Sequence, residues 1–283
     1  MAEYFTARGL PVPRELTTNP FTDWRRLLPI AIGLAVLYIG LRITDIDLTY
    51  ANPEYAGAKI RELLNWDTSI LTPQNEFETF WDTAEGKMVE TIFLGIIATA
   101  FSIVAAVPLS FLGARNIMAG HPITVAVYTV VRLMFTIIRS IDVLIVVIIG
   151  VILFGVGSAA GVIGLAFHNT GVLGKLYSEA IEGIDAGPVE AITATGANRL
   201  QVIWTAVIPQ IVNPYISFTI YRLDANVRLA PILGYVGGGG IGYLLFSAIL
   251  ILNYRAAGLI IFMIIVTVAA MDFFSAQIRK RLT

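Results

Sequence analysis

Apolar residues come in long blocks along this chain rather than in the short alternations of strands. The blocks run through Leu27–Leu41, Val89–Leu112, Pro122–Phe154, Ala160–Tyr177, Ile211–Leu233 and Ala256–Ile278. A helix needs about 20 mainly apolar residues to cross a bilayer core, so blocks of this length read as membrane-spanning helices. The stretch "HPITVAVYTVVRLMFTIIRSIDVLIVVIIGVILFG" is too long for one crossing. It is expected to split at Arg139-Ser140, with Pro122–Ile138 lying along the interface and Ile141–Phe154 crossing. Spans are therefore expected at about Leu27–Ile43, Val89–Leu112, Ile141–Phe154, Ala160–Tyr177, Ile211–Leu233 and Ala256–Ile278. The expected fold class is an all-α integral membrane protein with about six transmembrane helices.

Composition agrees: 57% of residues are hydrophobic and only 14% charged, where soluble domains carry roughly a quarter charged residues. Mean hydropathy is +0.77. A net charge of −1 provides no field to attract nucleic acid, and the absence of cysteine excludes disulfide and thiolate chemistry. Basic residues mark the cytoplasmic side of membrane proteins. With the spans above, Arg25, Arg26, Arg115, Arg132, Arg139, Lys175, Arg199 and Arg279-Lys280-Arg281 all fall on one side. Thr44–Lys87 falls on the other and carries nine Asp/Glu against three Lys/Arg. This predicts a cytoplasmic arm over residues 1–26, a retained anchor over 27–43 rather than a cleaved signal peptide, an acidic extracytoplasmic loop over 44–87, and both termini in the cytoplasm. Trp66, Trp81, Tyr50 and Tyr55 suit an interfacial aromatic belt, and the segment reads either as a solvated loop with a surface helix or as a docking face for an external partner.

One stretch, "VEAITATGANRLQVIWTAVIPQ", interrupts the apolar pattern with small and polar residues. Pro188 fits a helix first turn and Glu190 complements the dipole there. Gly196 is placed to end that helix in the left-handed conformation, and Asn198 with Gln201 three residues on forms a capping-box pattern. Two short helices at an angle are predicted over about 187–209. Ala191, Ala194 and Ala197 form a small-residue face, and Pro209 is placed where the next span should bend away.

Glu190-Ala191, Gly196 and Pro209 stand in the register E-A-x4-G-x12-P, which resembles the coupling motif of binding-protein-dependent ABC importer permeases. Ile192 replaces the motif's next alanine, and Ala206-Val207-Ile208 replaces the usual Ile-x-Leu before the proline. The blocks "LGKLYSEAIEGIDAGPVEAITATGANRLQVI", "TIYRLDANVR" and "LGYVGGGGIG" narrow the resemblance to phosphonate-type ABC importer permeases, the PhnE family, over roughly residues 88–283. One departure is "RSID", where Asp142 stands in place of a common proline. The resemblance implies a type I importer permease core over 88–283. Glu190, Ala191, Gly196, Ala197 and Pro209 would then couple to a cytoplasmic ATP-binding subunit, in two copies. It further implies an extracytoplasmic substrate-binding protein, a second copy of this chain, and a place in the bacterial inner membrane. The subunit itself would carry phosphonate or a related small phosphorus oxyanion, with no cofactor and no nucleotide site of its own.

Ionisable residues inside spans are costly and mostly face the bundle interior. The candidates for a translocation path are Arg222, Asp224 and Arg228 on the fifth span and His168 and Asn169 on the fourth. Asp224 and Arg228, four apart, share a helix face and form a candidate ion pair. Arg222 lies on another face without that partner, and its guanidinium suits a phosphorus oxyanion. These charges either line the path or only tie helices together. The glycine run lacks the Lys-Ser/Thr and the strand–helix context of a phosphate loop. Gly237, Gly238, Gly239 and Gly240 are instead candidates for a gate or hinge at the outer end of the fifth span. Two other classes are less compatible. An intramembrane hydrolase lacks the residues, with only His121 and His168 and with Ser158 in "GVGSAAG". A secondary transporter with paired broken helices would leave the polar helix pair without a purpose. An ABC permease for a different small solute stays open.

Overall fold

The computed structural model describes residues 8–9, 24–44, 52–73 and 79–280. Most of the expected arm over 1–26, as well as Tyr50 and Arg281, lies outside the described residues. The chain forms two units, residues 1–57 and 58–283. In the first, α1 (Trp24–Ile43) is apolar all round, and its Leu28, Ile32, Val36 and Ile39 are all exposed. That is the surface a helix presents to lipid. Asn52 caps the start of α2 (Pro53–Leu64) by accepting from the backbone N–H groups of Glu54 and Tyr55 at 3.0 and 3.2 Å.

The second unit holds the bundle. Its long helices are α3 (Ala84–Leu112), α5 (Pro122–Ser140), α7 (Ser158–Glu182), α10 (Ile208–Leu233) and α12 (Tyr254–Arg279). Between them lie the short α4 (Arg115–Met118), α6 (Val143–Phe154), α8 (Ala186–Ala194), α9 (Arg199–Val202) and α11 (Gly240–Leu250). No strand occurs among the described residues.

Helix α7 is the centre, packed against α3, α5, α6 and α10. Its glycines bring the backbones together: a Cβ on Gly164 would sit 2.9 Å from the Val147 Cα, and one on Gly174 would run into the Phe135 ring. Close approach of this kind is how helices associate where lipid removes the hydrophobic driving force. Polar side chains add a second tie. Asn226 on α10 donates to the Thr99 hydroxyl on α3 at 2.7 Å, and the Tyr177 and Tyr215 rings stack 3.9 Å apart.

One expectation changes here. Helix α5 does not stand apart along an interface. Arg132 reaches Glu182 at 2.5 Å, Phe135 packs at Gly174 and Ile138 at Gly171, after which α6 continues past Gly164 to Ala160. The later part of α5 and all of α6 therefore track α7 in the opposite direction, interrupted once at 141–142. Arg139 consequently sits half-way along α7, not at the bundle end with Arg115 and Arg132. By length and composition, α3, α5 and α12 suffice to cross a membrane, and the bent pair 199–238 with α11 would make a fourth. The six expected spans include α7 and the shorter apolar helices α1 and α6, and leave out α5. Helix α6 has only 12 residues, and α7 is diluted by glycine and polar residues because protein, not lipid, surrounds it.

Part of the expected outer loop is ordered structure. Arg255 Nε donates to the Asn65 carbonyl at 2.9 Å, and Trp66 stacks on Phe262 with ring centres 4.5 Å apart. Asp67 caps the short 3-10 turn Thr68–Leu71, and its neighbour Ser69 is exposed.

Candidate functional site

The polar interruption folds as its residues predict, up to its last proline. Asp185 caps α8 by accepting from the Gly187 N–H at 3.0 Å, and Pro188 lies in the first turn. Gly196 has φ +84°, and Asn198 and Gln201 make both bonds of the capping box at 2.9 and 2.8 Å. Glu190, Ala191 and Gly196 are exposed and Ala197 is half-buried. Val189 and Ile203 pack on a core of Ala114, Ile181, Val207 and Ile211, which holds the pair against the ends of the long helices. Between the pair and α4 lies a 510 Å³ cavity lined by Asn116, Glu182, Thr193 and Arg199.

Pro209 does not interrupt the helical backbone. Helical backbone runs from residue 199 to 235 across the proline, with a π-helical segment at Ile203–Val207 that Ile208 separates from it. The wider π turn accommodates a residue without an N–H, so hydrogen-bonded helix resumes across the proline. Asp142 likewise does not enter α6 as an interior acid. It caps that helix from an exposed position, accepting from the Leu144 N–H at 2.8 Å.

The path candidates separate into two groups. Arg222 on α10 reaches across to α7, where Nε donates to the Asn169 Oδ1 at 3.0 Å and Nη2 donates to the same oxygen. Asn169 is fully buried, and its Nδ2 has no partner among the described residues; neither has the buried His168 Nδ1. Arg228 instead joins carboxylates, Asp272 on α12 at 2.6 Å and Asp224 at 3.4 Å. The expected Asp224–Arg228 pair therefore exists, but its shorter arm goes to Asp272, 44 residues on, which the four-residue spacing gave no reason to include.

Gly237, Gly238, Gly239 and Gly240 are all buried. The helix ends at Tyr235: Val236 (φ −96°, ψ 15°) and Gly237 (φ +95°, ψ 10°) are non-helical, Gly239 and Gly240 follow with φ +79° and +69°, and α11 sets off at 57°. Three side chains, Glu90, Thr91 and Ser158, anchor this turn, and nothing in the sequence tied them to it. The Glu90 carboxylate on α3 accepts from the Ser158 hydroxyl and from the Gly240 N–H, the latter at 3.3 Å. The Thr91 hydroxyl accepts from the Ile241 N–H at 2.7 Å. Glu90 also meets Lys87 at 2.8 Å. Its acidity near a span's start was visible, but nothing in spacing pairs position 90 with 158 and 240.

An all-helical bundle with a polar helix pair projecting from one end, a broken span and a buried glycine reversal defines a membrane transport subunit. The chain belongs to the binding-protein-dependent transport system inner membrane component family, whose pattern matches residues 117–283. It is 37% identical over 293 residues to the phosphite transport system permease protein PtxC of Stutzerimonas stutzeri, covering 99% of both chains. It is 40% identical over 192 residues to the phosphate-import permease protein PhnE of Mycolicibacterium smegmatis, covering 68% of this chain but 35% of that one. The fold is that of a chain of the MetNI methionine ABC transporter, with a TM-score of 0.60 at 20% identity over 69% of this chain and 94% of that one.

Proposed function

We propose that this chain is the membrane-spanning subunit of an ATP-driven importer for phosphonate or a related small phosphorus oxyanion. The observation that carries it is the exposed α8–α9 pair, held to the long helices by its apolar back and joined through an unbroken helix to the Arg222–Asn169 contact. A push on the pair has continuous helical backbone, residues 199–235, along which to move α10. The names of the relatives support the cargo class, and the uncompensated guanidinium of Arg222 suits it. In this reading Glu190, Ala191, Gly196, Ala197 and Pro209 meet or transmit from two copies of a cytoplasmic ATP-binding subunit, which carries the nucleotide. A substrate-binding protein delivers from outside and a second copy of this chain completes the pathway. Arg222, His168 and Asn169 line the path, with Asp224 and Arg228 beside it. Gly237–Gly240 close it as a packed gate whose movement must break the Glu90 and Thr91 bonds.

Gly196→Val tests the lever. A Cβ at Gly196 meets nothing within 4 Å, so the substitution adds no clash. It costs about 1–2 kcal/mol in the left-handed backbone, more for a β-branched residue. The variant is expected to insert at normal yield yet lose most transport-coupled ATP hydrolysis in vesicles with its partners. Wild-type coupling in that variant would sink the lever.

The proposed topology has both termini cytoplasmic, residues 1–26 as an arm, 27–43 as an anchor, 44–87 outside and 88–283 as the permease core. The chain has no cysteine, so Ser69→Cys introduces a single exposed thiol. It is expected to react with an impermeant maleimide from outside intact cells; reaction only after the cytoplasmic face is opened would invert the arrangement.

A further inference from the structure

We infer that Arg139 joins Arg222 in one oxyanion-binding site at the break between α5 and α6, half-way along α7. The inference rests on the permease reading and adds to it a residue that the charge pattern had assigned to the bundle's cytoplasmic edge.

The carriers of positive charge on α5, α7 and α10 fall into two sets. Arg132 has Glu182 at 2.5 Å and Glu179 at 3.8 Å, Lys175 has Glu179 at 3.8 Å, and Arg228 has Asp272 at 2.6 Å. Arg222 meets only the neutral amide of Asn169. Arg139 is exposed and makes no ion pair or side-chain hydrogen bond among the described residues. An intramembrane cation is expensive, and one without a carboxylate marks a place where an anion visits.

The two uncompensated cations also converge. Ile138 packs on Gly171, which puts Arg139 at the level where α7 carries His168 and Asn169, one turn away. Arg139 lies within electrostatic reach of both Arg222 and His168. Asp142, which also reaches His168, caps α6 through the Leu144 N–H and keeps its negative charge, one carboxylate against two guanidinium groups. The unpartnered Nδ2 of the fully buried Asn169 and Nδ1 of His168 add polar atoms that the fold leaves unmatched. Two guanidinium forks repel one another unless an anion lies between them. They match a ligand with several charged oxygens on one tetrahedral centre, the geometry of phosphite, phosphonate or phosphate. A metal cation would be repelled.

The absence of native cysteine makes a charge-specific test available. Arg139→Cys is assembled with its ATPase and binding protein in vesicles, and uptake of radiolabelled phosphite and methylphosphonate is measured. Uptake is expected to fall at least ten-fold. A thiol reagent carrying an ammonium group should restore part of it, one carrying a sulfonate should not, and phosphite should slow labelling of the thiol. Arg139→Lys should retain intermediate uptake. Undiminished uptake by Arg139→Cys, or equal recovery with both reagents, overturns the site. A wild-type complex that takes up neither anion overturns the substrate reading instead, which separates the two failures.

Discussion

Arg222→Gln is expected to leave the complex assembled, with basal ATP hydrolysis intact, and to lower substrate uptake by one to two orders of magnitude. The glutamine amide can still donate to the Asn169 oxygen, so the α7–α10 contact retains a hydrogen bond where the guanidinium now makes two. What disappears is the charge. A hydrogen bond to a charged group contributes about 1.5–3 kcal/mol, and each 1.4 kcal/mol is about ten-fold. An importer must also release its cargo, so the site should be weak, and losing one of two cations removes most of its attraction. Arg222→Lys should recover only part, because a point charge replaces a two-pronged donor. Arg228→Gln is the contrast: it removes the cation that Asp224 and Asp272 share, and should lower membrane yield before it alters transport per complex. Yield, hydrolysis and uptake for the three variants decide the matter; an Arg222→Gln protein that misassembles while Arg228→Gln assembles and fails to transport would reverse the two roles.

Gly242→Val is expected to prevent assembly altogether. A Cβ at Gly242 would lie 1.8 Å from the Pro231 carbonyl oxygen and 2.7 Å from its carbon, both backbone atoms of α10. A flexible side chain could step aside, but α10 cannot retreat without leaving its contacts with α3 and α7. Overpacking a core costs typically 1–3 kcal/mol, and here two backbones must separate at the reversal that Glu90 and Thr91 anchor. Gly33→Val on α1, where a Cβ meets nothing within 4 Å, is the control and should leave yield unchanged. Normal detergent-stable yield of Gly242→Val would show that α11 can dock differently.

What could be read without the structure was whatever is local. The apolar blocks announced helices and a bilayer, because hydrophobicity along a helix is a property of consecutive residues. Gly196 and the Asn198–Gln201 capping box were legible because a cap is satisfied within three or four residues. The family register of Glu190, Ala191, Gly196 and Pro209 was legible for the same reason. The features that decide what the charges do are not local. Arg222 looked unaccompanied because its partner, Asn169, is 53 residues away, and Arg228's shorter pairing is with Asp272 on another helix. Arg139 was placed at an edge because α5 was expected to lie apart; only its packing on Gly171 and Gly174 brings the residue level with His168. Pro209 was expected to mark a bend, and it follows closely on a π turn that no spacing rule announces, with helical backbone on both sides. A chain determines its own helices through neighbours in sequence. Which side chains share a low-dielectric space is determined by how those helices pack, and in a membrane bundle that decides which charges are neutralised and which are left for a ligand.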